Sequence, residues 1–201
     1  MSINVCNDRS MASITSLPSG VSGSSLVLIS EQTASSSATI SFTSGIDSTY
    51  KEYIFKFINI HPATDDVLFT FNMSTDGGSN YNVTKTTTSF RAQNREDDSG
   101  NQLAYRTADD LAQSTDYQKL GQALGNENDE CLAGFLQIFN PSSTTFVKHF
   151  ISTINEYQPA NRTNNQFIAG YGNTTSAVDA VQFKMSSGNI DAGTIKMYGV
   201  V

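Results

Sequence analysis

Residues 50–81 read YKEYIFKFINIHPATDDVLFTFNMSTDGGSNY and contain two runs of β-strand type, 50–60 and 67–73. In the second run every other residue is a large apolar one (Val, Phe, Phe and Met), which is the period of a strand with one face against a core. A Thr-Asp-Gly-Gly turn follows at 75–78. The stretch therefore predicts two β-strands joined as a hairpin.

The first run is apolar on both faces, which is unusual for a strand that covers a single core. Tyr53, Phe55 and Phe57 alternate on one face, and Ile54, Ile58 and Ile60 are assigned to the other. A strand of this kind serves a core on one side and a second partner on the other. We therefore predict Tyr53, Phe55 and Phe57 as candidate subunit-contact residues.

The rest of the chain repeats the β pattern between turn residues. Further strands are predicted at 26–29, 38–43, 81–90 (as an edge strand), 117–125, 134–139, 146–153, 178–185 and 194–200. Residues 91–102 are predicted as a loop and 107–113 as one helical turn, while 126–130 and 187–189 are predicted as turns. Nine or ten short strands with almost no helix indicate an all-β fold, a β-sandwich of jelly-roll type, over residues 25–201.

Residues 1–24 are rich in Ser and Gly and predict an extended N-terminal arm before this domain. Ile14 and Leu17 are its candidate anchors to a neighbouring subunit. A frayed terminus is the alternative, because chain ends are loose unless something ties them down.

The composition excludes several classes of function. The net charge is −7, with a sequence pI of about 4.6, which argues against a nucleic-acid surface. No run approaches the roughly 18 apolar residues of a membrane helix, so no membrane partner is predicted. Ser, Thr and Asn make up roughly a third of the chain, as suits exposed strand faces and turns.

The two cysteines, Cys6 and Cys131, are far apart and have no Cys-x-x-Cys partner. They predict free thiols in a chain made in a reducing cytoplasm, with a Cys6–Cys131 bridge as the alternative. Residues 1–20 lack the continuous apolar segment of a secretion signal.

No catalytic motif is present, and we predict neither an enzyme nor a cofactor. His61 and His149 have no Cys or His at metal-ligand spacing. Four acidic pairs begin at Asp65, Asp97, Asp109 and Asp129, and neighbouring carboxylates on a strand point to opposite faces. A calcium loop or a glycosidase pair built from different strands stays open, but solvated loops account for these pairs most simply.

Aromatic residues in loops and edges are candidates for stacking on a sugar ring, although the chain has no Trp. We single out four tyrosines as surface-binding candidates: Tyr105, Tyr117, Tyr157 and Tyr171. Tyr81, Phe90 and Phe167 belong to the same wider set. Core packing or subunit contact is the alternative for all of them.

Three segments resemble small β-rich structural proteins of tailed bacteriophages, marine ones especially. They are residues 14–66, residues 139–153 (FNPSSTTFVKHFIST) and the closing pattern SSGNIDAGTIKMYGV at 186–200. The resemblance implies a virion component without enzymatic activity, made in the host cytoplasm. Its implied partners are its own subunits, as a homotrimer, and the major capsid protein or tail proteins of a phage.

A capsid decoration (cement) protein is the favoured expectation, because fibre proteins run longer and carry repeated shafts. A tail-fibre, spike or receptor-binding role is the alternative, with a host-surface glycan as ligand. A separate carbohydrate-binding module and a polysaccharide-degrading enzyme are the remaining hypotheses.

Overall fold

The computed structural model describes residues 25–201, which form twelve strands in two antiparallel sheets and no helix. The strands are β1 (Leu26–Thr33), β2 (Ile40–Phe42), β3 (Glu52–Pro62), β4 (Val67–Ser74), β5 (Lys85–Arg95), β6 (Asn101–Tyr105), β7 (Gln118–Leu124), β8 (Leu132–Phe139), β9 (Lys148–Gln158), β10 (Arg162–Gly172), β11 (Ala180–Met185) and β12 (Ile190–Val200). The predicted all-β class is confirmed. Ile14, Leu17 and the predicted arm lie outside the described residues.

The two sheets differ in size and pack face to face. The large sheet has the order β1-β12-β3-β8-β9-β10-β5-β6, and the small sheet has the order β2-β11-β4-β7. Aromatic rings join them: the ring centroid of Phe183 in β11 lies 5.2 Å from that of Phe57 in β3, and Phe71 in β4 lies 5.1 Å from Phe150 in β9. The core is therefore a layer of interlocking Phe side chains between the sheets.

The predicted hairpin of the opening stretch is wrong, because β3 and β4 belong to different sheets. Their apolar faces meet across the core instead of side by side, as the 5.2 Å separation of the Phe57 and Phe69 rings shows. Residues 63–66 cross from one sheet to the other. An alternating apolar pattern indicates which face of a strand is buried, but it does not determine which strand lies next to it in the sheet.

The assignment of Ile60 to the face opposite Phe57 is also wrong. Asn59 has a φ of +50°, and the β3–β8 register shifts between Phe57 and Ile60. The extra residue at this bulge reverses the alternation of side chains between the two faces. Ile60 is therefore fully buried, while Ile58 is 42% exposed. Gly193 of β12, with a φ of +112°, lies against the bulge.

The strands and turns around β5 differ from the sequence-based prediction. β5 lies between β10 and β6, so it is an interior strand, and residues 91–102, predicted as a loop, include its second half and the start of β6. β10 was not predicted at all. Residues 107–109 form a turn and not a helical turn, whereas the strand predicted at 117–125 is confirmed as β7.

Two hairpins, β5–β6 and β9–β10, pair with each other through β10 and β5 and form one half of the large sheet. We call this half, β9-β10-β5-β6, the extension. Its inner face turns towards β7 and residues 106–117, and its outer face points away from the small sheet.

Candidate functional site

The three predicted contact residues of β3 lie in the core. Tyr53 and Phe55 are fully buried and Phe57 is 2% exposed. The Tyr53 hydroxyl also accepts a hydrogen bond from Asp47 N (3.0 Å) and donates to Asp47 O (3.1 Å). These side chains therefore offer no surface to a partner.

The four candidate tyrosines do not form one cluster. Tyr105, Tyr157 and Tyr171 lie on the outer face of the extension, whereas Tyr117 precedes β7 and lies under the Lys184 ammonium, 4.0 Å from the ring centroid. The Tyr105 hydroxyl donates to Asp110 Oδ2 (2.6 Å), and this bond raises the pKa of Tyr105. The Tyr157 hydroxyl donates to Asn161 Oδ1 (3.1 Å), at the turn between β9 and β10.

A row of aromatic side chains crosses the outer face of the extension. Tyr105 pairs in register with Phe90, and Phe90 pairs with Phe167. The Phe90 and Phe167 rings are stacked, with centroids 4.8 Å apart and planes inclined by 12°. Phe90 is 43% exposed and Tyr105 is 53% exposed, so the row is open to solvent.

Two depressions lie beside this row because Ala169 is small and its neighbours are large. One has a volume of about 490 Å³ and is walled by Phe139, Ile151 and Tyr171, and the other, of about 190 Å³, lies between Phe90, Ile151 and Phe167. No Asp, Glu, Lys or Arg lines either depression. We call this surface, together with Leu103 and Tyr105 on the edge strand β6, the outer apolar surface.

Large hydrophobic side chains of the outer apolar surface are exposed to solvent. Leu103 is 76% exposed and Ile151 is 47% exposed. Contiguous exposed apolar patches on a protein mark contact sites. Phe90 and Phe167 are among the sequence candidates, whereas Leu103 lies just after the predicted loop 91–102 and Ile151 lies in a predicted strand without a stated face. Only the strand register brings the four together.

The remaining candidates for chemistry are spread over the structure. His61 Nδ1 lies 3.7 Å from Asp191 Oδ2, beside Cys131, whose pKa is raised by burial. His149 packs edge-on against Tyr171, with centroids 6.1 Å apart. Within residues 25–201 no group of three or more His, Cys, Asp or Glu is arranged to hold a metal ion.

Comparison with known proteins gives no relative: no family model, no curated protein and no solved structure matches this chain. Across the described part of the chain, no helix has the length and hydrophobicity to span a membrane.

Proposed function

We propose that this protein is a non-enzymatic structural protein of a bacteriophage virion, a capsid decoration protein that assembles as a symmetric homotrimer. The single observation behind the proposal is the outer apolar surface. A rigid sheet face with exposed Phe, Leu, Ile and Tyr side chains is suited to burial against another protein.

The partner that we assign to this surface is a second copy of the chain. The chain carries a net charge of −7, which opposes self-association wherever like charges meet. The two depressions of the outer apolar surface carry no charged residue, so copies can meet there without that cost. The protruding Leu103 and the depression around Ala169 lie at different places on the face, as a head-to-tail contact that closes into a ring requires.

We also propose that the sandwich is of jelly-roll type. In support, the eight strands outside the extension change sheet at every step along the chain except from β4 to β7: β1, β3, β8 and β12 lie in the large sheet, and β2, β4, β7 and β11 in the small one. Two inserted hairpins then account for the twelve strands. This architecture is frequent in viral capsid and lectin domains.

The solution mass of the purified protein tests the assembly. We expect about 65 kDa, three chains of 21.7 kDa, by light scattering, and a single chain for Phe90→Glu, which places a charge in the aromatic row. Leu28→Glu is the matched control, because Leu28 is an equally exposed apolar residue (50%) on β1, at the opposite edge of the large sheet. A monomeric wild-type protein at high micromolar concentration would contradict the assembly.

Placement on the particle has a separate test. Quantitative mass spectrometry of purified virions should give a copy number comparable with that of the major capsid protein. A few copies per particle would favour the tail-fibre, spike or receptor-binding alternative, and absence from the particle would reject the virion role.

A further inference from the structure

The inner face of the extension concentrates positive charge in an otherwise acidic protein. All four arginines among residues 25–201 lie on or beside it: Arg91 and Arg95 in β5, Arg162 in β10, and Arg106 just after β6. Arg95 pairs in register with Arg162, and Arg91 pairs with Gln166. This clustering does not follow from core packing, because buried or half-buried arginines are costly unless they are paired.

Three of these arginines line one concave pocket of about 440 Å³, which we call the arginine pocket. Its walls include Arg91, Arg106 and Arg162. Burial, and then the positive charge of Arg106, lower the pKa of Arg91, while the charge of Asp109 acts in the opposite direction. Pockets of this volume are in the range of small-molecule sites.

Two of these arginines have hydrogen-bond donors without a partner within residues 25–201. The Nε atoms of Arg91 and Arg162 are buried and have no partner among the described residues, and neither side chain forms an ion pair there. Gln166, next to Arg91 in the register, is 1% exposed and neither of its amide atoms has a partner in that part of the chain. Arg106 differs, because its Nε donates to Asp109 Oδ2 (3.1 Å). A buried polar atom without a partner is destabilising, so acceptor oxygens from a ligand would be favourable here.

The floor of the pocket is held in place from below. Gln158 Nε2 donates to Gln122 O and to Glu156 Oε1 (2.8 Å each), and Gln122 N donates to Glu156 Oε2 (2.8 Å). Glu156 is 1% exposed, so it acts as a buried anchor and is not a group that a ligand reaches. The two glutamines of the floor are therefore pre-organised before any ligand enters.

The rim sets the chemistry of the ligand. Asp65 and Asp66 are exposed at the rim, where they repel a multiply charged anion and can accept hydrogen bonds from hydroxyl groups. A ligand that suits both parts of the pocket carries one planar anionic group and several hydroxyls. Arginine pairs with a carboxylate through two parallel hydrogen bonds.

We propose that the arginine pocket binds an acidic sugar of the uronate class, with Arg91 and Arg162 on the carboxylate and Asp65 and Asp66 on ring hydroxyls. The site lies on the opposite face of the extension from the outer apolar surface and does not depend on the proposed assembly. The arginine pocket would thus be a ligand-binding site separate from the proposed assembly surface.

Titration calorimetry on the full chain tests the proposal, with galacturonate, which carries one carboxylate, as the probe. We expect saturable binding that weakens at least tenfold in Arg162→Gln and recovers in part in Arg162→Lys. Lys196→Gln is the charge-matched control, because Lys196 lies on β12 and pairs with Glu31 (3.0 Å), and it should bind like the wild type. No saturable binding, or unchanged binding in Arg162→Gln, would overturn the proposal.

Two further ligands separate an acidic-sugar site from a general anion site. The methyl ester of galacturonate lacks the charge and should not bind, whereas equal binding would mean that the arginines do not recognise the carboxylate. Inorganic phosphate should bind more weakly than the sugar acid, and equal or tighter phosphate binding would overturn the assignment to sugars. In the unmodified protein, the Nε–H resonances of Arg91 and Arg162 should shift with galacturonate, so the test does not depend on the folding of a variant.

Discussion

The buried carboxyl group of Glu156 should make the stability of this protein depend on pH in an unusual direction. Burial raises the pKa of Glu156 from 4.5 to about 7, although the side chains of Asn164 and Gln158 and the backbone N–H of Gln122 all donate to it. A group whose pKa is raised on folding binds its proton more tightly in the folded state. Its contribution is therefore complete below pH 4.5 and is lost as the pH rises towards 7.

The size of this effect follows from the two pKa values. The difference between 4.5 and about 7 corresponds to a loss of about 3 kcal/mol in the free energy of unfolding between pH 4.5 and pH 8. Above pH 7 the buried Lys85 should reverse the trend, because burial lowers its pKa from 10.5 to about 7 and its Nζ donates to the neutral acceptors Asn72 Oδ1 (2.6 Å) and Val83 O (2.7 Å). We expect a stability minimum near pH 7, where many proteins have their maximum.

Urea unfolding of the wild type and of Glu156→Gln at pH 4.5, 5.5, 7 and 8.5 measures the effect. The variant should be less stable than the wild type at low pH, because its amide nitrogen must face a hydrogen-bond donor. The gap between the two proteins should shrink by about 3 kcal/mol between pH 4.5 and pH 8.5, since the variant has no carboxyl group to ionise. Glu31→Gln removes an exposed carboxylate and controls for net charge. Parallel stability profiles of wild type and Glu156→Gln would refute the reasoning.

Two further predictions concern the core and the β3 bulge. Phe183→Ala should lower the free energy of unfolding by about 3–5 kcal/mol in urea titrations, because the Phe183 ring lies against five other Phe rings. Phe146→Ala is the control and should have little effect, because Phe146 is 68% exposed. Gly193→Ala should lower the free energy of unfolding by about 2 kcal/mol or more in the same assay, because Gly193 has a φ of +112° and the added Cβ would lie 2.5 Å from Asn59 O. In Gly77→Ala the added Cβ meets nothing within 4 Å, so the loss should be smaller. A Gly193→Ala protein as stable as the wild type would show that the bulge can relax.

The sequence predicts the strands of this fold best where one face is apolar. β4 and β11 alternate Val, Phe or Met with polar residues over most of their length, β8 has buried Leu and Ile side chains on one face, and all three match their predicted positions closely. β10 was missed because its inward residues include Asn164 and Gln166, which are polar although they are buried. A period-two pattern of hydrophobicity cannot identify a strand whose buried face is polar.

The sites were less predictable than the strands for a related reason. Arg91 and Arg162 are separated by 70 residues of sequence and come together only because β5 pairs with β10. Phe90 and Phe167 stack through the same pairing. Strand order is a long-range property that no local pattern encodes, so both the arginine pocket and the outer apolar surface became visible only with the register.

The position of β12 has a consequence for how the chain is made. β12 lies between β1 and β3 and hydrogen-bonds to both, with Leu26 opposite Val200 and Phe57 opposite Ile195. During synthesis, β1 and β3 therefore leave the ribosome long before the strand that joins them, and their edges stay unpaired until residues 190–200 emerge. Nascent chains in this condition are prone to pair with one another, so yields on expression should depend on chaperones and on low temperature more than on the stability of the finished protein.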